Sequence, residues 1–204
     1  MGEPRLIANA IMCIFLEAVE EVLGDKGLTV VLKQAGQEQF LGQKPPNDTE
    51  LGPSLQEYGL IEEAIEQVYG DRGARAILMR IGRANFRRSL EERGKLIGLT
   101  GLALNLIPSY EAKLGLFLKN FASAAVKHGN LPVRLEEDED NFYYIYDDSP
   151  AHYRPEKDRP CCFVTVGLLK EAVKWATGKE VNVEEKTCMA CGDDVCTFVI
   201  PKKA

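Results

Sequence analysis

The segment Val183-Glu-Glu-Lys-Thr-Cys188-Met-Ala-Cys191-Gly-Asp-Asp-Val-Cys196-Thr-Phe-Val-Ile200 predicts strand, tight turn, strand. Val181, Val183 and Glu185 alternate with polar neighbours, Gly192-Asp193-Asp194 is turn chemistry, and Phe198-Val-Ile200 is a second short apolar run. A hairpin lays its arms side by side, so Cys188 before the turn can face Cys196 after it. Glu185 joins them where the first strand bends, and Cys161-Cys162 upstream supplies a further thiol. Three sulfurs and one carboxylate oxygen suit a closed tetrahedral zinc site, with oxygen a less usual fourth ligand than histidine. Other readings stay open. Free cysteine is among the most buried residue types, so the same residues suit a reduced core cluster. A disulfide needs an oxidising compartment, of which nothing here gives a sign. Cys188-Met-Ala-Cys191 has the spacing of a redox pair, but such a pair opens a helix after a strand, and this one runs into a Gly-Asp turn.

The whole chain has 204 residues, 45% of them hydrophobic, which is enough for one substantial core and makes a single domain the expectation. A formal charge of −6 argues against a general nucleic-acid surface. No apolar run reaches membrane-spanning length, and Glu17, Glu20 and Glu21 interrupt the N-terminal apolar stretch, unlike a signal peptide. Six cysteines without an export signal point to the reducing cytoplasm.

Residues 5–24 read as a helix stopped by Gly24, and residues 28–35 as a shorter one, although Thr29, Val30 and Val31 would also suit a strand. Residues 37–52 read as a polar loop. Ser54-Leu-Gln-Glu57 is a capping box opening a helix to about Tyr69, and Gly70-Asp-Arg-Gly73 is a turn. The next helix, about 74–92, carries Arg75, Arg80, Arg83, Arg87 and Arg88, a solvated face pairing with Glu91, Glu92 and other acidic neighbours. Gly82 in its middle costs about 1 kcal/mol against alanine, which signals a close contact there. Leu96 to Leu106 is apolar enough to need burial. Over 107–127, Ile107, Tyr110, Leu114, Phe117, Phe121 and Ala124 form a helical stripe. Residues 133–136 and 142–146 make a hairpin with an acidic tip, its second strand placing Phe142, Tyr144 and Tyr146 on one face. Pro160 to Gly167 leads into a helix ending at Thr177-Gly178 and carrying Trp175. The order is that of an α+β domain in which helices (chiefly residues 1–130) cover an antiparallel sheet (in 131–204).

From Arg159-Pro-Cys-Cys162-Phe-Val-Thr-Val-Gly167, through Trp175-Ala-Thr-Gly178, to Glu185-Lys-Thr-Cys188-Met-Ala-Cys-Gly192-Asp193-Asp-Val-Cys196, the chain resembles the 4-vinyl reductase domain. That domain occurs in predicted hydrocarbon-binding proteins and in the sensory domains of phenol- and toluene-responsive transcription activators. The resemblance covers about residues 131–201, and Gly82-Arg83-Ala84 upstream looks like the family as well. It implies the fold of haem-type nitric-oxide sensors and of small subunits of a Golgi transport particle, a helical layer on an antiparallel sheet, often dimeric through N-terminal helices. It also implies a zinc ligand set of Cys162, Glu185, Cys188 and Cys196, with Cys162 rather than Cys161 chosen because its spacing to Glu185 matches the family's. Cys191 departs from the pattern, that place being commonly apolar.

The expected function is therefore a cytoplasmic sensor or carrier of a hydrophobic or aromatic small molecule, with zinc as a structural staple and a homodimer as the assembly. Apolar pockets carry few polar anchors, and the candidate lining is Phe86, Tyr110, Phe117, Phe121, Phe142, Tyr144 and Trp175, with Arg83 placed to turn inward toward a carboxylate or phenolate. An interaction scaffold of the same fold is the alternative. A tetrapyrrole vinyl reductase is disfavoured. There is no Gly-x-Gly-x-x-Gly turn for a hydride carrier, four protein ligands close a zinc site, and only His128 and His152 are present for acid–base work. His152 is near enough to the cysteines in sequence to count as a further candidate ligand.

Overall fold

The computed structural model describes residues 3–97, 104 and 106–203. A short ribbon forms where β1 (Leu6–Ala8) pairs antiparallel with β2 (Leu51–Ser54). The stretch expected to be helix from residue 5 and loop to residue 52 thus contributes a strand at each end. α1 (Asn9–Gln34) breaks at Gly24, whose φ of +73° is the left-handed value that favours glycine, and then resumes. Leu28, Val31 and Leu32 are buried at helical spacing beyond the break, which settles the helix-or-strand ambiguity there. α2 (Leu55–Ile97) opens with the expected capping box: the Ser54 N–H donates to Glu57 Oε2 at 2.6 Å and the Glu57 N–H to Ser54 Oγ at 3.2 Å. It breaks at Gly70, φ +68°, where a turn was expected. α1 and the first part of α2 share one core, with Phe15 stacked on Tyr58 at 3.8 Å between centroids.

α3 (Tyr110–Gly129) is capped by Ser109, which accepts from the Ala112 N–H, and ends at Asn130 in a left-handed conformation. Its Leu114, Phe117 and Leu118 are buried, as the stripe required. Of the apolar run Leu96–Leu106, Leu104 is buried and Leu106 is exposed; the side chains of the rest lie outside the described residues.

The sheet consists of β3 (Val133–Glu137), β4 (Asn141–Tyr146), β5 (Glu184–Thr187) and β6 (Cys196–Pro201), all antiparallel in the order β3-β4-β6-β5. Phe142, Tyr144 and Tyr146 of β4 stand opposite Ile200, Phe198 and Cys196 of β6, and all six are buried in one core with α3 and α4 (Phe163–Thr177). Helices over one face of an antiparallel sheet make an α+β fold, as the element order implied. Among the described residues, no helix is long and apolar enough to cross a membrane.

α2 and α4 approach so closely that a Cβ on Gly82 would overlap the Val164 carbonyl, and one on Gly167 the Met79 carbonyl. That is the close contact the mid-helix glycine signalled. Gly82→Ala should therefore destabilise the protein by about 1–3 kcal/mol, the usual range for overpacking, although alanine is the better helix former. A urea midpoint equal to or above the wild type's would show that the two helices can part without cost.

Candidate functional site

A bulge builds the first half of the site. Glu185 pairs with Phe198 and Thr187 with Thr197, leaving an extra residue on β5 between them. This bend lets Glu185 share a space with Cys188, just beyond the strand, Cys196 at the start of β6, and Cys162, the residue before α4. One ligand atom from each of the four lies within 4.8 Å of all the others. Cys162 Sγ is 4.0 Å from Cys188 Sγ and 3.8 Å from Cys196 Sγ. Sulfurs 2.3 Å from a tetrahedral zinc stand about 3.8 Å apart. Glu185 Oε2 accepts the Cys162 N–H at 2.8 Å, while its buried Oε1 has no partner.

Groups that orient the ligands are in place too. The Cys188 N–H donates to Asp193 Oδ2 at 2.8 Å and the Met189 N–H to Cys196 Sγ at 3.2 Å, while Ser149 Oγ lies 3.1 Å from that sulfur. Hydrogen bonds from Cys161, Cys162 and Cys196 hold Cys188 far below an ordinary thiol pKa, while burial and the Cys188 charge push Glu185 up to about 8. A thiolate beside a buried carboxylate is an arrangement that a cation stabilises.

All six cysteines are free. Cys161 is buried 3.9 Å from Cys188, sulfur to sulfur, next to the four-residue group. Cys191 ends a short 3-10 turn (Met189–Cys191) followed by Gly192 at φ +91°, and not at the opening of an α-helix where a redox pair belongs. His152 is exposed beside Asp148 and stacked on Tyr153, outside the group.

Beneath the cysteines lies an ionic network that the sequence did not announce. Arg154, its side chain fully buried, meets Glu63 and Glu66 of α2 at 3.0 and 2.8 Å and Glu62 at 3.7 Å, and donates to the Cys161 carbonyl at 3.2 Å. Lys157 adds contacts to Glu63 and Glu66 at 2.8 and 2.9 Å. The loop carrying Cys161 and Cys162 is thereby fixed to α2.

The second half of the site is a cavity of about 140 Å³ enclosed by α1, α2, α3, α4 and β4. Ile14, Phe121, Ala125 and Leu168 are among its apolar walls; Asn85, Ser89, Arg93 and His128 bring polar groups, and Tyr144 and Tyr146 face it from the sheet. The Tyr144 hydroxyl is buried without a hydrogen-bond partner, and burial keeps its pKa well above the ordinary value, so it stays a neutral donor.

Of the eight sequence candidates, Phe121 and Tyr144 line this cavity. Phe86, Phe117 and Trp175 fill an aromatic cluster behind Phe121, with centroids 5.6 to 6.3 Å apart. Phe142 lies under Lys202 and Tyr110 under Lys179, both away from the cavity. Arg83 does not turn inward. The face of α2 bearing Gly82 packs on α4, and Arg83 one residue on reaches Glu171 of α4 at 3.7 Å. Arg87 and Arg88 likewise pair with Glu17, Glu21 and Glu171, so the arginine face is neutralised by α1 and α4 more than by its own helix. The face of α2 that meets the cavity carries Asn85, Ser89 and Arg93, which sequence reasoning missed. Their signal was an asparagine and a serine four apart on an otherwise apolar and arginine-rich helix.

Residues 142–202 match the model of the 4-vinyl reductase domain family, which bears out the resemblance over that stretch. No curated protein matches the chain. Among solved structures, an Fe(II) unliganded H-NOX protein mutant from K. algicida is similar at TM-score 0.59 and 16% identity, over 97% of each chain. An H-NOX protein from S. oneidensis in the Fe(II)NO ligation state matches at 0.54 and 14%, over 91% of this chain and 96% of that one. The phenol-responsive sensory domain of the transcription activator PoxR, with phenol, matches at 0.51 and 15%, over 74% and 77%. At these identities the likeness establishes the fold, the one expected from the sequence.

Proposed function

We propose that this chain is a sensor-type binding module in which the cavity takes a hydrophobic, single-ring-sized molecule and Cys162, Glu185, Cys188 and Cys196 hold one structural zinc. The observation that carries the reading is the cavity itself, largely apolar yet presenting a buried, unpartnered hydroxyl at Tyr144. A buried donor without an acceptor costs roughly 1–3 kcal/mol, which a ligand oxygen would recover. A cavity of 140 Å³ approaches the roughly 150 Å³ void known to take up benzene. A porphyrin calls for several hundred Å³, and the aromatic cluster behind Phe121 fills the space into which the cavity would have to grow. The haem of the H-NOX structures therefore does not fit here, whereas a ligand of phenol's size does.

The cavity takes walls from both residues 1–130 and 131–204, which supports one domain. The homodimer belongs to the same proposal, but not through α1, whose apolar face is buried within the chain; exposed Leu6 and Leu51 on the β1–β2 ribbon offer another face.

A thermal-shift series with toluene, phenol and indole tests the cavity. Ligand at a hundred times its dissociation constant adds about 2.7 kcal/mol, and each kcal/mol is worth about 2–4 °C in a domain of this size. Ala125→Phe, which fills the cavity, should abolish the shift. No shift with any of the three, in protein shown by native mass spectrometry to carry no co-purified molecule, would sink the reading.

A further inference from the structure

The polar groups of the cavity are not scattered. Asn85, Ser89 and Arg93 recur every four residues on one face of α2, so they stack along the wall. They are linked in order: Ser89 Oγ donates to Asn85 Oδ1 and Asn85 Nδ2 to Tyr58 Oη, both at 3.4 Å. Asn85 and Tyr58 are buried, whereas Ser89 and Arg93 are half-buried, so the stripe runs outward from the core and ends in a guanidinium. His128 on α3 faces the same cavity.

Charge selects what this stripe can read. The chain carries a net −6, yet among the described residues no aspartate or glutamate lines the cavity, and its charged or chargeable wall groups besides the tyrosines are Arg93 and His128. Arg93 Nη1 donates to the Asn47 carbonyl and Oδ1 at 3.0 and 2.8 Å. The neighbouring carboxylate, Glu92, is bound by the Asn47 side-chain amide and lies on the adjoining face of the helix. A cavity for a neutral hydrocarbon has no use for a guanidinium on its wall. A carboxylate does, because a guanidinium offers a fork of donors that matches its two oxygens.

Resting on the cavity reading above, we infer that the ligand is a small aromatic carboxylic acid, with its ring among the apolar walls and its carboxylate on Arg93 and His128. Tyr144, a neutral donor on the sheet wall, is available to a ring hydroxyl or to the carboxylate itself. Arg93 is a binding residue in this scheme, and Asn47 is the group that orients it.

Calorimetric titration with benzoate, benzamide and toluene tests the inference on the intact chain. Benzamide has nearly the shape of benzoate without its charge, so their affinity ratio reads the charge recognition directly. Wild type should bind benzoate at least tenfold more tightly than benzamide, and Arg93→Gln should collapse that ratio, with Arg93→Lys restoring part of it. Should the Gln variant fail to fold, the ratio on wild type still decides. Benzamide or toluene binding as tightly as benzoate overturns the anionic ligand while leaving the cavity reading intact. Binding of none of the three overturns both.

Discussion

Cys196→Ser should yield protein that neither holds zinc nor unfolds cooperatively. Cys196 is fully buried, with the Met189 N–H and the Ser149 hydroxyl pointed at its sulfur, and it stands 3.8 Å from Cys162 Sγ. Serine keeps the volume but is a poor zinc ligand at neutral pH. Structural zinc sites in small peptides contribute apparent free energies of about 10–16 kcal/mol, as much as the whole stability of an ordinary domain, about 5–15 kcal/mol. Loss of the ion also leaves the Cys188 thiolate and the Glu185 carboxylate facing each other in a buried space. The metal must compete with protons for the thiols, so wild-type zinc should be released as the pH falls, and the sign would reverse only for ligands that bind protonated. Cys161→Ser is the matched control: its sulfur is as close to Cys188 as the ligand sulfurs are, but it lies outside the four-residue group. Metal analysis by plasma emission should find about one zinc per chain in wild type and in Cys161→Ser. Stoichiometric zinc in Cys196→Ser would refute the ligand set.

What the sequence made legible follows from where the determining interactions lie. The metal-site geometry is local: a hairpin, a bulge and a helix start bring four residues together within 35 positions (162 to 196), and spacing encodes such contacts. The capping box at Ser54, the left-handed glycines at 24 and 178 and the close approach at Gly82 are local signals as well. The cavity lining was misjudged because it depends on helix rotation. Phe86 and Phe117 look like pocket residues by type, but their rings reach one another and Trp175 and leave no space between. Arg83 and Arg93 differ by ten residues on one helix. Which of them turns inward is settled by Gly82 docking α2 on α4, a contact between segments some 80 residues apart. The β1–β2 ribbon was missed for a similar reason, since three-residue and four-residue strands carry almost no periodicity.

Arg154→Ala should cost about 3–5 kcal/mol, the usual penalty for removing one partner from a buried ionic group, because it strands three carboxylates of α2. Glu62, Glu63 and Glu66 face two cations, Arg154 and Lys157, so the group holds one carboxylate too many. The excess falls on Glu62, which is the farthest from Arg154, at 3.7 Å, and makes no contact with Lys157 among these pairs. Burial, opposed by Arg154 and reinforced by Glu66, raises its pKa from 4.5 to about 7. A carboxyl that titrates higher in the folded state than in the unfolded contributes stability that is fully present below pH 4.5 and lost as pH rises through 7. At about 1.4 kcal/mol for each pH unit between the two values, that is a loss of roughly 3 kcal/mol between pH 4.5 and 7.5. Glu62→Gln removes the excess charge and leaves Arg154 with Glu63 and Glu66. It should therefore be more stable than wild type at pH 8 and less stable relative to it at pH 5.5. Urea midpoints for both proteins at those two pH values, with zinc in excess throughout, give the comparison, since the metal's own pH dependence is common to both. Parallel profiles would mean that Glu62 is ionised throughout the range and that Arg154 holds all three carboxylates, in which case Arg154→Ala should be still more costly.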